Sequence, residues 1–202
     1  MFPQSRAIKQ LSELKKYTSE LRLAAEWPEP WQCLISTALS ARTRDEVTIE
    51  VCEHLFKKYN SPQKLAKAKL SDIEKLIRPV NFYRNKSKNI IGCAKMLVKE
   101  YDGIPPHDLN KLIELPGVGR KTANVFLSEM GKDAIGVDTH VSQIAQKLGW
   151  SKNTNAHKIE EDLKQLFPRN IWSQVNETLV LVGRTHRGKK QIPIIKKIMS
   201  IK

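Results

Sequence analysis

Lys121 and Asp138 are the residues of this chain best suited to covalent chemistry. Lys121 falls in the first turn of a helix expected over 121–130, where the helix dipole disfavours an ammonium and makes a neutral, nucleophilic amine easier to reach. Asp138 follows the turn around Gly131-Lys132-Asp133, so a helix running out and a chain running back are expected to bring its carboxylate toward that amine. An amine beside a carboxylate suits Schiff-base chemistry. Each residue also has a plainer role open to it. Lys121 reads equally as another phosphate-contacting lysine, and Asp138 as the N-cap of the helix that begins at Thr139-His140-Val141.

The residues just before Lys121 supply an anchor. Leu115-Pro116-Gly117-Val118-Gly119-Arg120-Lys121-Thr122 places two glycines two positions apart ahead of a helix. That spacing allows a tight turn whose outward amides suit a phosphate oxygen at the positive end of the helix. Contacts of this kind position a protein on DNA without reading its sequence, because phosphates look alike.

These residues resemble the helix-hairpin-helix and Gly/Pro-Asp loop of the endonuclease III family of DNA glycosylases. Two further stretches, Leu39-Ser40-Ala41-Arg42-Thr43-Arg44-Asp45 and Phe82 to Ile90, resemble family segments in the expected order, so the likeness runs from about Pro30 to Gly183. The resemblance implies a bifunctional glycosylase and abasic-site lyase that excises oxidised pyrimidines from duplex DNA in base excision repair, with Lys121 as the attacking amine and Asp138 as its carboxylate partner. Two alternatives stay open: a uracil or mismatched-thymine glycosylase, and a non-catalytic helix-hairpin-helix DNA-binding protein. DNA contacts are implied for Leu115, Gly117, Val118, Gly119, Arg120, Thr122, Arg42, Phe82, Arg84 and Lys86. Arg42 replaces a usual glutamine and Phe82 a usual leucine. A phenylalanine can wedge between bases and an arginine can meet the exposed partner base, although Phe82 also reads as a core residue under its loop.

Many relatives follow the counterpart of Gly183-Arg184 with four cysteines that bind an iron-sulfur cluster. Here the chain from Arg184 on carries seven Lys or Arg, no acid and no cysteine. No cluster and no other cofactor or metal is expected, and a basic amphipathic tail is a candidate replacement for DNA contact. The three cysteines, Cys33, Cys52 and Cys93, sit singly in apolar helical patterns and read as small buried hydrophobes. His140 reads as structural.

The remaining sequence must position these groups. Apolar residues recur at helical spacing in three stripes: Ile8, Leu11, Leu14, Thr18 and Leu21; Leu34, Ile35, Ala38 and Leu39; and Ile159, Leu163, Leu166 and Phe167. The fold is therefore expected to be all-α. Ser71-x-x-Glu74 reads as a capping box opening a short helix. The family arrangement implies two helical domains, a six-helix domain over 26–133 and a second over 1–25 plus 134–202, with Lys121 and Asp138 facing one cleft. Among 202 residues, Lys and Arg exceed Asp and Glu by 35 to 21, a net charge of +14 that favours an anionic partner such as DNA. The sparse cysteines and the lack of a long apolar run predict a soluble, intracellular protein without a membrane partner, in the cytoplasm or nucleoid if the source is prokaryotic, and a monomer is expected.

Overall fold

The structure is a computed structural model and describes residues 2–201. Among these residues the secondary structure is helical throughout, with twelve α-helices, short 3-10 turns and no strand. In chain order they are α1 (Gln4–Leu14), α2 (Pro30–Ser40), α3 (Asp45–Lys58), α4 (Pro62–Ala66), α5 (Leu70–Leu76), α6 (Tyr83–Tyr101), α7 (Leu109–Ile113), α8 (Arg120–Glu129), α9 (Thr139–Lys147), α10 (Ala156–Leu166), α11 (Trp172–Thr185) and α12 (Gln191–Met199). None is long and apolar enough to cross a membrane.

The helices form two compact units. One runs Arg22–Met130 and holds α2 to α8; the other holds the chain up to Leu21 and from Gly131 onward. The sequence-based boundaries lie at 26 and 133, and the first unit carries seven helical segments where the family arrangement implies six.

In the first unit, α2 is the central element. Proline at its first position supplies a pre-set φ, and Trp31, Cys33, Leu34, Ile35 and Leu39 are all buried. It packs against α3, α6 and α8. The edge-to-face rings of Trp27 and Trp31 on Phe56 close one end of this core. All three cysteines are buried here, on α2, α3 and α6, and burial pushes each thiol up to about 12. They act as small hydrophobes rather than reactive groups.

In the second unit, α9 packs on α11 and α10, while α1 packs on α11 and α12. Trp150 Nε1 donates to Gln10 Oε1 (2.8 Å), and Gln10 Nε2 donates to the Ile198 carbonyl (3.0 Å), both in buried surroundings. Arg6 adds a bond to the Met199 carbonyl (2.7 Å). The basic tail is therefore a docked helix: Gln191, Ile194, Ile195 and Ile198 are buried, while Lys189, Lys190 and Lys196 face solvent.

Two local expectations are corrected. No capping box forms at Ser71, because α5 already begins at Leu70 with Lys69 at its N-cap and no side-chain cap. The stripe from Ile8 to Leu21 does not continue as one helix face. α1 ends at Leu14 and passes into a 3-10 turn, its buried face is Ala7, Gln10, Leu11 and Leu14, and Ile8 and Leu21 are exposed.

Candidate nucleic-acid interface and catalytic residues

The hairpin is built from α7, a glycine turn and α8. Asp108 caps α7 by accepting from the Lys111 amide (3.0 Å), so the first helix starts where its orphan amides find a side-chain oxygen. Leu112, Leu115 and Val118 are buried and pin the turn to the core. Gly117 has φ +79°, and a Cβ there would lie 2.7 Å from Asn89 Cβ on α6. Only glycine satisfies both the left-handed backbone and that close approach. Gly119 is exposed, and no atom would obstruct a Cβ there. α8 starts after Gly119 without a side-chain cap. The Val118 amide is already bonded to the Leu115 carbonyl (3.0 Å), so it leaves the set of outward amides expected from the sequence.

The helix begins at Arg120, one residue earlier than expected, with Lys121 second in it. Lys121 is half-buried, Arg120 is exposed, and Thr122 is buried, so the side chains of Leu115, Val118 and Thr122 shape the hairpin from within. One turn beyond Lys121, buried Asn124 has a carboxamide nitrogen without a hydrogen-bond partner.

Asp138 belongs to the other unit and is the N-cap of α9. Its Oδ1 accepts from the Val141 amide (2.8 Å). Upstream, the Gly136 amide donates to Asn176 Oδ1 (2.8 Å, buried), which fixes the chain before Asp138 to α11. His140 packs on the same helix: a Cβ on Gly183 would come within 2.5 Å of His140 Cβ. Asn176 does not stand out in the sequence, and Gly183 does so only as a family landmark, because both contacts act across a long chain separation.

A second cluster lies in the first unit, where the loop after α2 meets the loop before α6. Arg42 (φ +57°) and Phe82 (φ +59°) both hold left-handed backbone, uncommon for residues with side chains. Phe82 is 59% exposed, which removes the core alternative. The Arg42 guanidinium lies 5.7 Å from the Phe82 ring centroid. Asn81 ties the loops together, its side-chain nitrogen donating to the Arg42 carbonyl and its amide to Thr43 Oγ1 (3.2 Å). Lys86 adds bonds to the carbonyls of Leu39 (2.7 Å) and Ala41 (2.6 Å) and to Thr43 Oγ1 (3.4 Å). Burial, and secondarily the like charge of Lys121, push the Lys86 amine down to about 8. Phe82, Tyr83, Arg84 and Asn85 line an open hollow of about 440 Å³. The sequence groups Lys86 with the DNA-contacting residues; the structure turns its amine inward onto backbone carbonyls. Arg84 is exposed.

The family's cluster ligands have no counterpart in this donor set. The three thiols sit buried on separate helices of the first unit, and the C-terminal segment is cysteine-free, so these residues do not fit an iron-sulfur cluster.

An all-α chain whose glycine hairpin opens a helix with lysine in its first turn defines a helix-hairpin-helix protein. Residues 35–169 match the family described as HhH-GPD superfamily base excision DNA repair protein. Endonuclease III of Thermotoga maritima is 45% identical over 157 residues, 77% of this chain and 74% of that protein. Endonuclease III of Synechocystis is 39% identical over 181 residues, 89% of this chain and 83% of that protein. A solved structure of a trapped endonuclease III–DNA covalent intermediate superposes with a TM-score of 0.86 at 33% identity, covering 94% of this chain and 90% of that one. The chain belongs to the HhH-GPD superfamily of base excision DNA repair proteins.

Proposed function

We propose that this chain is a DNA glycosylase and abasic-site lyase that acts on oxidised pyrimidines in duplex DNA as a cofactor-free monomer. The observation that carries this reading is Lys121 standing second in α8, directly behind a hairpin whose Gly117 admits no side chain. A monofunctional glycosylase needs no amine at that point, and its presence favours covalent chemistry. The structurally similar endonuclease III was trapped as a covalent intermediate with DNA, which supports the same chemistry here.

In this reading the Lys121 amine attacks C1′ of the damaged nucleotide as the glycosidic bond to the base breaks. The amine's first proton leaves with the departing base; the C1′–O4′ bond of the resulting aminal then breaks, its electron pair going to O4′, which takes the second amine proton as the C1′ imine forms. That imine acidifies the 2′ proton; its removal expels the 3′ phosphate by β-elimination, and water then hydrolyses the imine to release Lys121. The Asp138 side chain stabilises the positive charge that develops on the sugar and assists proton transfer from the amine. The hairpin holds the DNA backbone, and the loops of Arg42 and Phe82 occupy the space the extruded nucleotide leaves.

Substrate class is tested with duplexes containing thymine glycol, dihydrouracil, uracil, mismatched thymine, 8-oxoguanine or an abasic site. Excision of thymine glycol and dihydrouracil with nicking of the abasic duplex is expected. Release of uracil or thymine without nicking would replace this reading with a mismatch glycosylase, and no activity on any duplex would leave a binding protein.

A further inference from the structure

Lys86 is an expected DNA contact whose donors are already consumed inside the protein. A lysine ammonium has three protons, and the three oxygens around this Nζ, two carbonyls and one hydroxyl, account for them. Two of those partners, Leu39 and Ala41, are at the C-terminal end of α2, where orphan carbonyls and the negative end of the helix dipole favour a cation. Lys86 itself stands in the first turn of α6, directly after left-handed Phe82. It therefore joins the end of one helix to the start of another across more than forty residues of chain. Beside it, Asn81 makes a second tie, from the Phe82 loop to the Arg42 carbonyl.

We infer that Lys86 is a positioning residue for base extrusion: it latches the loop of Arg42 to the loop of Phe82, so that the two exposed side chains meet the duplex as one preformed wedge, and it does not bind phosphate. This rests on the glycosylase reading above. The supporting physics is the cost of the alternative. Two residues in left-handed backbone are strained, and such strain persists only where neighbouring contacts over-determine it. Lys86 and Asn81 are those contacts. That burial pushes the amine down also fits a group held by internal oxygens rather than by solvent or a mobile phosphate.

The test combines Lys86→Met, Lys86→Arg, Phe82→Ala and the Lys86→Met/Phe82→Ala double variant. Single-turnover excision is measured on a lesion that is paired or unpaired. In parallel, 2-aminopurine fluorescence in a duplex bearing an uncleavable abasic analogue reports unstacking without excision. Lys86→Met should lower paired-lesion excision and the fluorescence response about tenfold, the scale of losing charge-assisted hydrogen bonds. The excision loss should shrink when the lesion is unpaired. Lys86→Arg, which keeps donors and charge, should recover most of it. In the Phe82→Ala background, Lys86→Met should cost little more, because both changes remove the same wedge. The salt dependence of binding should be unchanged, whereas loss of a phosphate contact lowers the logarithmic slope by about one. Additive losses in the double variant, or a slope reduced by about one, would overturn the inference. If Lys86→Met does not fold, Asn81→Ala carries the test, and a wild-type fluorescence response from it would overturn the latch. A wild-type protein that unstacks DNA through Lys86 yet excises no base would sink the glycosylase reading and spare the latch.

Discussion

The Arg42 guanidinium lies 5.7 Å from the Phe82 ring centroid, with both residues held in left-handed backbone on adjoining loops of one unit. A cation over an exposed ring keeps a large apolar side chain ordered without burying it. Phe82→Ala should therefore leave thermal stability nearly unchanged, because little burial is lost. Single-turnover excision of a paired lesion should fall about ten- to a hundredfold, since stacking of a base on an aromatic ring contributes roughly 1 to 3 kcal/mol. Arg42→Ala should chiefly change the dependence on the opposite base, because a guanidinium meets guanine with two hydrogen bonds.

Asp138 carries a structural duty as the N-cap of α9, and substitution can separate it from the chemical duty proposed above. Asn caps a helix about as well as Asp, so Asp138→Asn should keep the Val141 contact and the melting temperature while base release slows severely. Asp138→Ala should lose the cap as well, at about 1 kcal/mol in denaturant unfolding. Equal melting temperatures for the Asn and Ala variants would contradict the capping role.

Gly117 is the hairpin position least tolerant of a side chain. Gly117→Ala must accept φ +79° and a contact of 2.7 Å with Asn89 Cβ, so a loss of more than about 1 kcal/mol and weaker binding to undamaged duplex are expected. Adding Asn89→Gly should restore the part of the stability due to the clash and leave the part due to the backbone.

Stability should also report the Lys86 amine, whose value falls from about 10.5 to about 8 on folding through burial and the neighbouring Lys121 charge. Below the lower value both states hold the proton and the charge is penalised in the fold. Between the two, the unfolded chain binds the extra proton, so stability rises with pH and the penalty is relieved. The stability of the wild type relative to Lys86→Met, followed by denaturant unfolding, should therefore increase from pH 8 to 10.5. A gap that narrows over that range would contradict the assignment.

How much the sequence discloses depends on how local each interaction is. The hairpin glycines, the Asp138 cap and the stripe Ile159, Leu163, Leu166 and Phe167 act within a few residues, and they are legible from spacing alone. Lys86 reaches across more than forty residues, Asn176 holds Gly136 from forty residues away, and Asn89 touches Gly117 from another helix, so no local pattern marks them. Ser71 shows the converse: a local capping signature is overridden because α5 starts two residues earlier, with Lys69 at its N-cap and Leu70 in its first turn. The apolar face of α12 is legible as an amphipathic pattern, but the surface it docks on is not, since Gln10 and Arg6 tie it to α1 at the far end of the chain.

That docking changes how the basic tail is best tested. Removing it would strip buried Ile194, Ile195 and Ile198 from the second unit and destabilise it. Lys189→Ser with Lys190→Ser, both exposed, leaves the packing intact. If the tail contacts phosphates, the logarithmic salt slope of duplex binding should fall by roughly 0.9 per lysine removed. An unchanged slope would restrict the tail to a packing role.

The most direct test of the central claim is borohydride trapping on duplex DNA carrying an oxidised pyrimidine or an abasic site. Reduction of a C1′ imine should leave a covalent protein–DNA adduct with the wild-type protein, and peptide mapping should place it on Lys121. Lys121→Ala should fold normally, bind the duplex and yield no adduct. Undiminished trapping by Lys121→Ala, or an adduct mapped to another amine, would contradict the assignment.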